Sequence, residues 1–447
     1  MRPRGTAPIR DAGRGAGQVR ARVSRLTLAL GRFALALGLF ASCGTTVDDL
    51  GYNGGAGLPL GPLTGPSSMY PNPFHDRGHT DAEIATKINT AFMQLFHGTA
   101  TDQPIYFPTP GSTNSAFILD IFHNDVRTEG VGLAMLIAVE LDHRTELDNL
   151  WTYAKTTLRD PSGYFKSFCE TPATTSCLDP FGLQQMTMAL VLAHDHYTLK
   201  NPNPMPTVDY AADARDLLTL MRHKVDQSGV ADGITDTFDH ASNLLVDPHG
   251  TDLVFDLPLT TSAGVGRPSI EMPGYYGLWA QATGDPFWTM AAKAGRDYWH
   301  RTAYPTTGLM PVRAPFAGPV AGSDTFASEA YRAQIAMAID QIWTGGDGWI
   351  PLEADRLLAF FSGQGPGYGM SFSLDGTMVT NPQHDPALVS ANGVTAAIAT
   401  PATTPAQRAA FVDEVWNLDI PTGTNRYFVG LLYLVALLVM GGHMQVL

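Results

Sequence analysis

The sequence has almost no cysteine: Cys43, Cys169 and Cys177 are the only three in 447 residues. So few exclude a disulfide-stapled scaffold and leave no Cys/His cluster with the spacing of a structural zinc site. Charge is scarce as well, at 16% of residues, with 28 Lys and Arg against 42 Asp and Glu. Basic residues are concentrated at the start, where positions 1–42 hold eight Arg and a single acid, Asp11. The remaining 20 basic and 41 acidic residues repel phosphate. That balance argues against nucleic acid and anionic lipid headgroups as partners and suits a neutral or cationic ligand. No apolar run reaches the roughly 20 residues of a membrane span. The chain also lacks a phosphate-binding glycine loop and any Ser/His/Asp spacing. His194-Asp195-His196 invites a metal reading, but positions i and i+2 of a helix do not share a face. We expect neither metal nor cofactor.

What is present begins with an export pattern. Arg-rich residues 1–25 lead into Leu26 to Leu30 and Phe33 to Phe40, ending in Ala41-Ser42-Cys43. A basic region, a short apolar region and small residues before a cut point form a signal peptide. Leu39-Phe40-Ala41-Ser42-Cys43 resembles a bacterial lipobox, in which the Cys is acylated and becomes the new N-terminus. The alternative is an ordinary secretion signal with an incidental Cys. We expect residues 1–43 to be the signal with its lipid site at Cys43, and the mature protein to be exported and membrane-anchored on the periplasmic or cell-surface side. Cys169 and Cys177 then remain as a pair across a Pro/Thr-rich loop, able to close a disulfide in an oxidising compartment or to stay as two thiols. Residues 44–78, rich in Gly and Pro without hydrophobic periodicity, read as a tether.

From Thr80 the pattern changes. Thr80-Asp81-Ala82-Glu83 is a capping box, followed on one helical face by Ile84, Ile88, Phe92, Leu95 and Phe96. Helical segments follow near 127–142, 145–158, 182–198, 208–225, 273–283, 286–301, 325–343, 351–362, 387–399, 405–417 and 426–441, ending at Gly or Pro breakers. Between 226 and 270 the chain is polar and turn-rich, with room for a short hairpin near Asn243. Twelve helices in antiparallel pairs match an all-α (α/α)6 six-hairpin barrel over residues 79–447. Tyr427 to Met440, nearly all apolar, suits an inner helix. Trp151, Trp279, Trp288, Trp299 and Trp416 could stack on sugars or simply fill the core.

Asp125-Val126-Arg127-Thr128-Glu129-Gly130 places charge at the head of an otherwise apolar, small-residue helix. Burial there raises a carboxyl pKa, as a general acid requires, while the helix N-terminus favours the carboxylate. By residue chemistry alone Glu129 is an acid or a first-turn dipole partner. The motif resembles the signature of glycoside hydrolase family 8, inverting enzymes acting on β-1,4-linked cellulose, xylan, chitosan or mixed-linkage glucan. Further matches run through Leu150-Trp151, Gly163-Tyr164-Phe165, Asp179-Pro180-Phe181-Gly182, Arg267-Pro268-Ser269-Ile270-Glu271-Met272-Pro273, Ser328-Glu329-Ala330-Tyr331-Arg332, His384-Asp385-Pro386 and Trp416-Asn417. Within the family the likeness is to members releasing xylose from the reducing end of xylo-oligosaccharides.

The resemblance implies Glu129 as general acid and Glu329 as base, where the family has Asp. It implies Arg332 as the residue orienting the base and His384 as the binder of a terminal sugar. The family's central-sugar carboxylate falls on Phe181, with Asp179 two residues earlier as a candidate replacement. Its Tyr falls on Ile270, with Glu271 beside it. We expect a monomer acting on an oligo- or polysaccharide, without nucleic-acid partners. The altered positions leave a second possibility, a carbohydrate-binding lipoprotein with little or no turnover. For the anchor, Cys43→Ser should shift the protein out of the detergent phase in a partition assay; unchanged partitioning would exclude lipid at Cys43.

Overall fold

Two kinds of helix alternate along the chain, distinguished by how much of their surface the sequence makes apolar. The computed structural model describes residues 59–66, 70–167, 177–228, 236–246 and 264–447. Cys43, Cys169 and the Cys177 side chain lie outside the described residues. After a single-turn helix α1 (Pro73–Asp76), α2 (Asp81–His97) starts at the expected capping box and turns Ile84, Ile88, Phe92 and Leu95 inward. The same one-faced pattern recurs in α4 (Arg144–Tyr153), α6 (Tyr210–Ser228), α8 (Pro286–Thr302), α10 (Ile350–Gln364) and α12 (Pro405–Asn417).

The second kind is buried on most sides. It comprises α3 (Thr128–Glu140), α5 (Pro180–Ala193), α7 (Pro273–Thr283), α9 (Arg332–Thr344), α11 (Pro386–Ile398) and α13 (Phe428–Met440). In α5 all residues from Pro180 to Ala193 are buried, and in α13 every residue from Gly430 to Met440. A helix apolar on every side must be enclosed by others. Each of these six touches the next and α13 returns to α3, so they close a ring. The one-faced helices cover that ring: α2 packs on α13, α4 on α3, α6 on α5, α8 on α7, α10 on α9 and α11, and α12 on α11. The protein is predominantly helical, and among the described residues its sheets are short and two- or three-stranded. Among the described residues no helix is long and apolar enough to cross a membrane.

Close packing at one point positions the chemistry. A Cβ on Gly182 would lie 2.4 Å from the Thr128 carbonyl carbon and 2.5 Å from the Glu129 amide nitrogen. Only glycine lets the first turn of α5 press against the first turn of α3. The four Trp residues Trp151, Trp279, Trp288 and Trp299 are core, each fully buried. Trp416 is partly buried, with His79 stacked on its ring at 3.5 Å.

Two expectations need correction. The segment expected as helix from 325 becomes helical only at Arg332. Thr325-Phe326 instead pairs with Ser371–Ser373, which pairs in turn with Val379–Asn381, so β-branched and aromatic residues here serve a sheet. Residues 59–66 are no free tether. Leu60 and Leu63 are 4% and 5% exposed, anchoring a segment whose Gly and Pro content conceals its two apolar contacts. Gly61 N–H donates to Ala282 O, Thr64 N–H to Gln281, and Leu63 N–H to Asp195 Oδ1 at 3.0 Å. These partners lie at the C-terminal ends of α5 and α7.

Candidate active site

The N-terminal ends of the ring helices carry most of the residues singled out by sequence. Glu129 stands in the first turn of α3, and Asp179 is the N-cap of α5, accepting from Phe181 N–H at 2.9 Å. Glu329 sits in the loop before α9, Arg332 begins α9, and Tyr427 caps α13. Helix N-termini carry partial positive charge and stabilise nearby carboxylates. The carboxylates here are also partly or wholly withdrawn from water, which opposes ionisation.

Arg332, 7% exposed, joins the two expected catalytic residues. Its Nη2 lies 2.9 Å from Glu129 Oε1 and donates to Glu129 Oε2 at 3.1 Å. Its Nη1 lies 2.8 Å from Glu329 Oε2, and Nη2 donates to Glu329 Oε1 at 3.3 Å. With one nitrogen 2.9 Å from one carboxylate oxygen and 3.3 Å from the other, those two oxygens are at most about 6 Å apart. The guanidinium is flanked by Phe181, 5.3 Å from ring centre to Cζ, and by Phe428 at 4.9 Å. Such cation–π contacts hold a desolvated guanidinium in place. Phe181, at the position of the family's central-sugar carboxylate, therefore serves as a wall for Arg332.

Burial pushes the Glu129 carboxyl up to about 7; Arg332 pulls it down, Glu329 and Asp179 push it further up, and Arg267 opposes them. Desolvation outweighs the cation beside it. Among the described residues Oε1 makes no aligned hydrogen bond, its 2.9 Å approach to Arg332 Nη2 being an ion-pair contact alone. Burial likewise raises Asp179, against the pull of Arg267 and Arg332. Burial works to lower Arg332, but Glu129, Glu329 and Asp179 outweigh it and hold the guanidinium charged. Tyr427, raised by burial and by Glu129 and Asp120, lies over Gly130, where a Cβ would come within 2.4 Å of its ring.

The structure thus gathers Glu129, Glu329, Arg332 and Asp179. Glu271 and His384 bond to other neighbours. Glu271 is 1% exposed; it accepts from Leu245 N–H at 3.0 Å and from the Tyr276 hydroxyl at 3.2 Å. Its expected role in substrate contact gives way to a structural one, since its carboxyl is enclosed and engaged within the protein. Burial pushes it up to about 7, so its pKa is a mark of the core. His384 keeps a half-exposed ring, with Nδ1 2.8 Å from Tyr368 O and Nε2 2.9 Å from Glu414. Both ring nitrogens are engaged by these neighbours. Sequence reasoning missed Phe428, Tyr427 and Arg267 as parts of the site; the first two lie in an apolar run that signals only core.

A ring of buried helices gathering two carboxylates and an arginine at one end defines the class this chain resembles, the family 8 glycoside hydrolases. No family model matches the chain. The reducing-end xylose-releasing exo-oligoxylanase Rex8A of Paenibacillus barcinonensis is 29% identical over 395 residues, 85% of this chain and 97% of that protein. The reducing end xylose-releasing exo-oligoxylanase of Halalkalibacterium halodurans is 27% identical over 84% of this chain and 94% of its own length. Among solved structures, a GH8 xylobiose complex from Teredinibacter turnerae aligns with TM-score 0.71 and 29% identity, covering 84% of this chain and 97% of that one.

Removing the shared cation should expose the cost of this pairing. Arg332→Ala leaves Glu129 without its partner, a loss of about 3–5 kcal/mol for a broken buried pair. Denaturant unfolding should show the larger loss at pH 8, where Glu129 is ionised, and a smaller one at pH 5, where it holds its proton. Equal losses at both pH values would mean that the Glu129 charge is not what Arg332 compensates.

Proposed function

We propose that the chain is an inverting glycoside hydrolase acting on β-1,4-linked saccharides, with xylo-oligosaccharides the first candidates, in an (α/α)6 barrel. The observation that carries this reading is the buried Glu129 carboxyl, raised to about 7 although the Arg332 guanidinium lies 2.9 Å from it. The relatives' activity on xylose-containing chains supports the choice of substrate. In this mechanism Glu129 delivers its proton to the glycosidic oxygen as the bond to the anomeric carbon breaks. Glu329 takes a proton from a water that attacks the opposite face, giving the inverted sugar. The cycle leaves Glu129 ionised and Glu329 protonated, and exchange with solvent restores both. We further propose that the protein acts outside the cell, held by lipid on Cys43.

Inverting chemistry places its carboxyl groups about 6.5–9.5 Å apart, with water between them. The oxygens bridged by Arg332 are closer than that range. Glu329, with a 25% exposed side chain in a loop, is the member free to move aside when a sugar enters. The same bridging favours a second reading, a saccharide-binding protein without turnover, in which Arg332 and Phe181 fill the central subsite permanently.

Glu129→Gln keeps the shape and removes the proton, so hydrolysis of unactivated oligosaccharides should fall about 10²–10⁴-fold. In the parent, kcat/KM should decline as pH rises through about 7, because the acid form is lost there. Glu329→Asp decides between the two readings. For a hydrolase fitted to the longer side chain, shortening it should lower turnover by about 10²-fold. A gain in hydrolysis would support the binding protein instead.

A further inference from the structure

Seven residues before Glu129, the chain makes a tight turn whose rigidity and exposure do not match. Asp120 and Asp125 form an antiparallel bridge, with Asp120 N–H donating to Asp125 O at 2.8 Å and Asp125 N–H returning to Asp120 O at 3.3 Å. Between them, Asn124 takes a left-handed φ of 57°, which an asparagine tolerates better than most residues. The Asp120 carboxylate, 4% exposed, ties the turn together. Its Oδ1 accepts from Phe122 N–H at 3.1 Å and His123 N–H at 3.3 Å; its Oδ2 meets His123 Nδ1 at 2.8 Å and Arg127 Nε at 3.0 Å.

At the tip of this pinned turn, Phe122 is 69% exposed, the most exposed large hydrophobic among the described residues and the only aromatic in that group. The His123 ring meets it edge-on, with centroids 4.8 Å apart, and so limits its swing. A phenylalanine left in water loses the stabilisation of burial, roughly 1.5–3 kcal/mol for a side chain of this size. Surface turns ordinarily carry Gly, Asn, Asp or Ser. Here a buried carboxylate and two backbone bonds hold an aromatic ring outward.

The turn adjoins the candidate active site. Arg127, bound to Asp120, immediately precedes α3, whose second residue is Glu129. Asp120, Arg127 and Glu129 all act electrostatically on the Tyr427 hydroxyl, so the turn and the acid border the same side chain. A ring at this place can recognise a pyranose, whose axial C–H bonds make one face apolar while its hydroxyls stay in water.

Resting on the saccharide reading above, we propose that Phe122 is a stacking platform for a sugar unit of the chain bound at Glu129, one that extends the site beyond the scissile bond. It is a binding residue that sets preference for chain length. Glu129 and Arg332 govern the bond that breaks, and Phe122 governs how long a saccharide is held.

The test compares the full chain with its Phe122→Ala and Phe122→Trp variants on β-1,4-xylo-oligosaccharides of increasing length. In Phe122→Ala, the advantage in kcat/KM of the longest over the shortest substrate should fall about three- to tenfold, the range for one aromatic contact. The loss should appear in KM, and Phe122→Trp should retain the advantage. A Phe122→Ala chain-length profile superimposable on the parent's would overturn the platform while leaving the hydrolase reading intact. If no form hydrolyses any oligomer, the hydrolase reading fails separately. Calorimetric titration of the same oligomers into the parent and Phe122→Ala then decides the platform: a length-dependent loss of affinity supports it, and unchanged or undetectable binding overturns it.

Discussion

The guanidinium of Arg332 has to satisfy two carboxylates while lying almost out of water. A buried cation is tolerated only where counter-charges and donors' partners surround it, and this one has Glu129, Glu329 and the nearby charge of Asp179. Phe181 and Phe428 then confine the plane in which it can lie. Much of the surrounding architecture follows from that demand. Glycine at 182 lets α5 approach α3, and the first turns of separate helices meet around one charge.

The acid function and the fold draw on opposing terms of the same geometry. Bringing helix N-termini together creates positive potential, which would lower Glu129. Enclosing those termini within a ring of apolar helices removes water, which raises it, and that desolvation outweighs the lowering by Arg332 and Arg267. The electrostatic state of Glu129 is therefore a property of the closed ring as well as of its neighbours. Glu271 teaches the converse. Its carboxyl is displaced to a similar value by burial alone, yet it faces a backbone amide and a tyrosine, so a perturbed pKa marks enclosure before it marks chemistry.

Helix existence was legible because strongly periodic or wholly apolar segments admit few alternatives. All twelve expected long helices are present, and their burial separates ring from cover much as the apolar run from Tyr427 suggests. Boundaries were less legible where short strands intervene, as at Thr325-Phe326, because a two-residue strand has no period to read. Glu129, Glu329, Arg332 and Asp179 could be placed together from the motif resemblance. Spacing along the chain carries no information about which loop returns to which. Phe428 illustrates the limit: in sequence it opens an apolar helix, and only folding sets its ring against Arg332. Leu60 and Leu63 were hidden for a related reason, since two apolar contacts among Gly and Pro leave no periodic trace.

Docking of residues 59–66 has a practical side. Gly65 lies beside Val446, where a Cβ would come 3.2 Å from its side chain, and Tyr70 accepts from Val446 N–H at 2.8 Å. The segment thus meets residues near Leu447 on the side of the ring where α5 and α7 finish, and Gln445 N–H there bonds to Glu140 at the last turn of α3. Two points of the backbone far apart in sequence form a single seam on the floor of the ring, remote from its mouth. That seam offers one shared handle for joining the domain to a bead, a surface or a companion module, with the mouth left unobstructed.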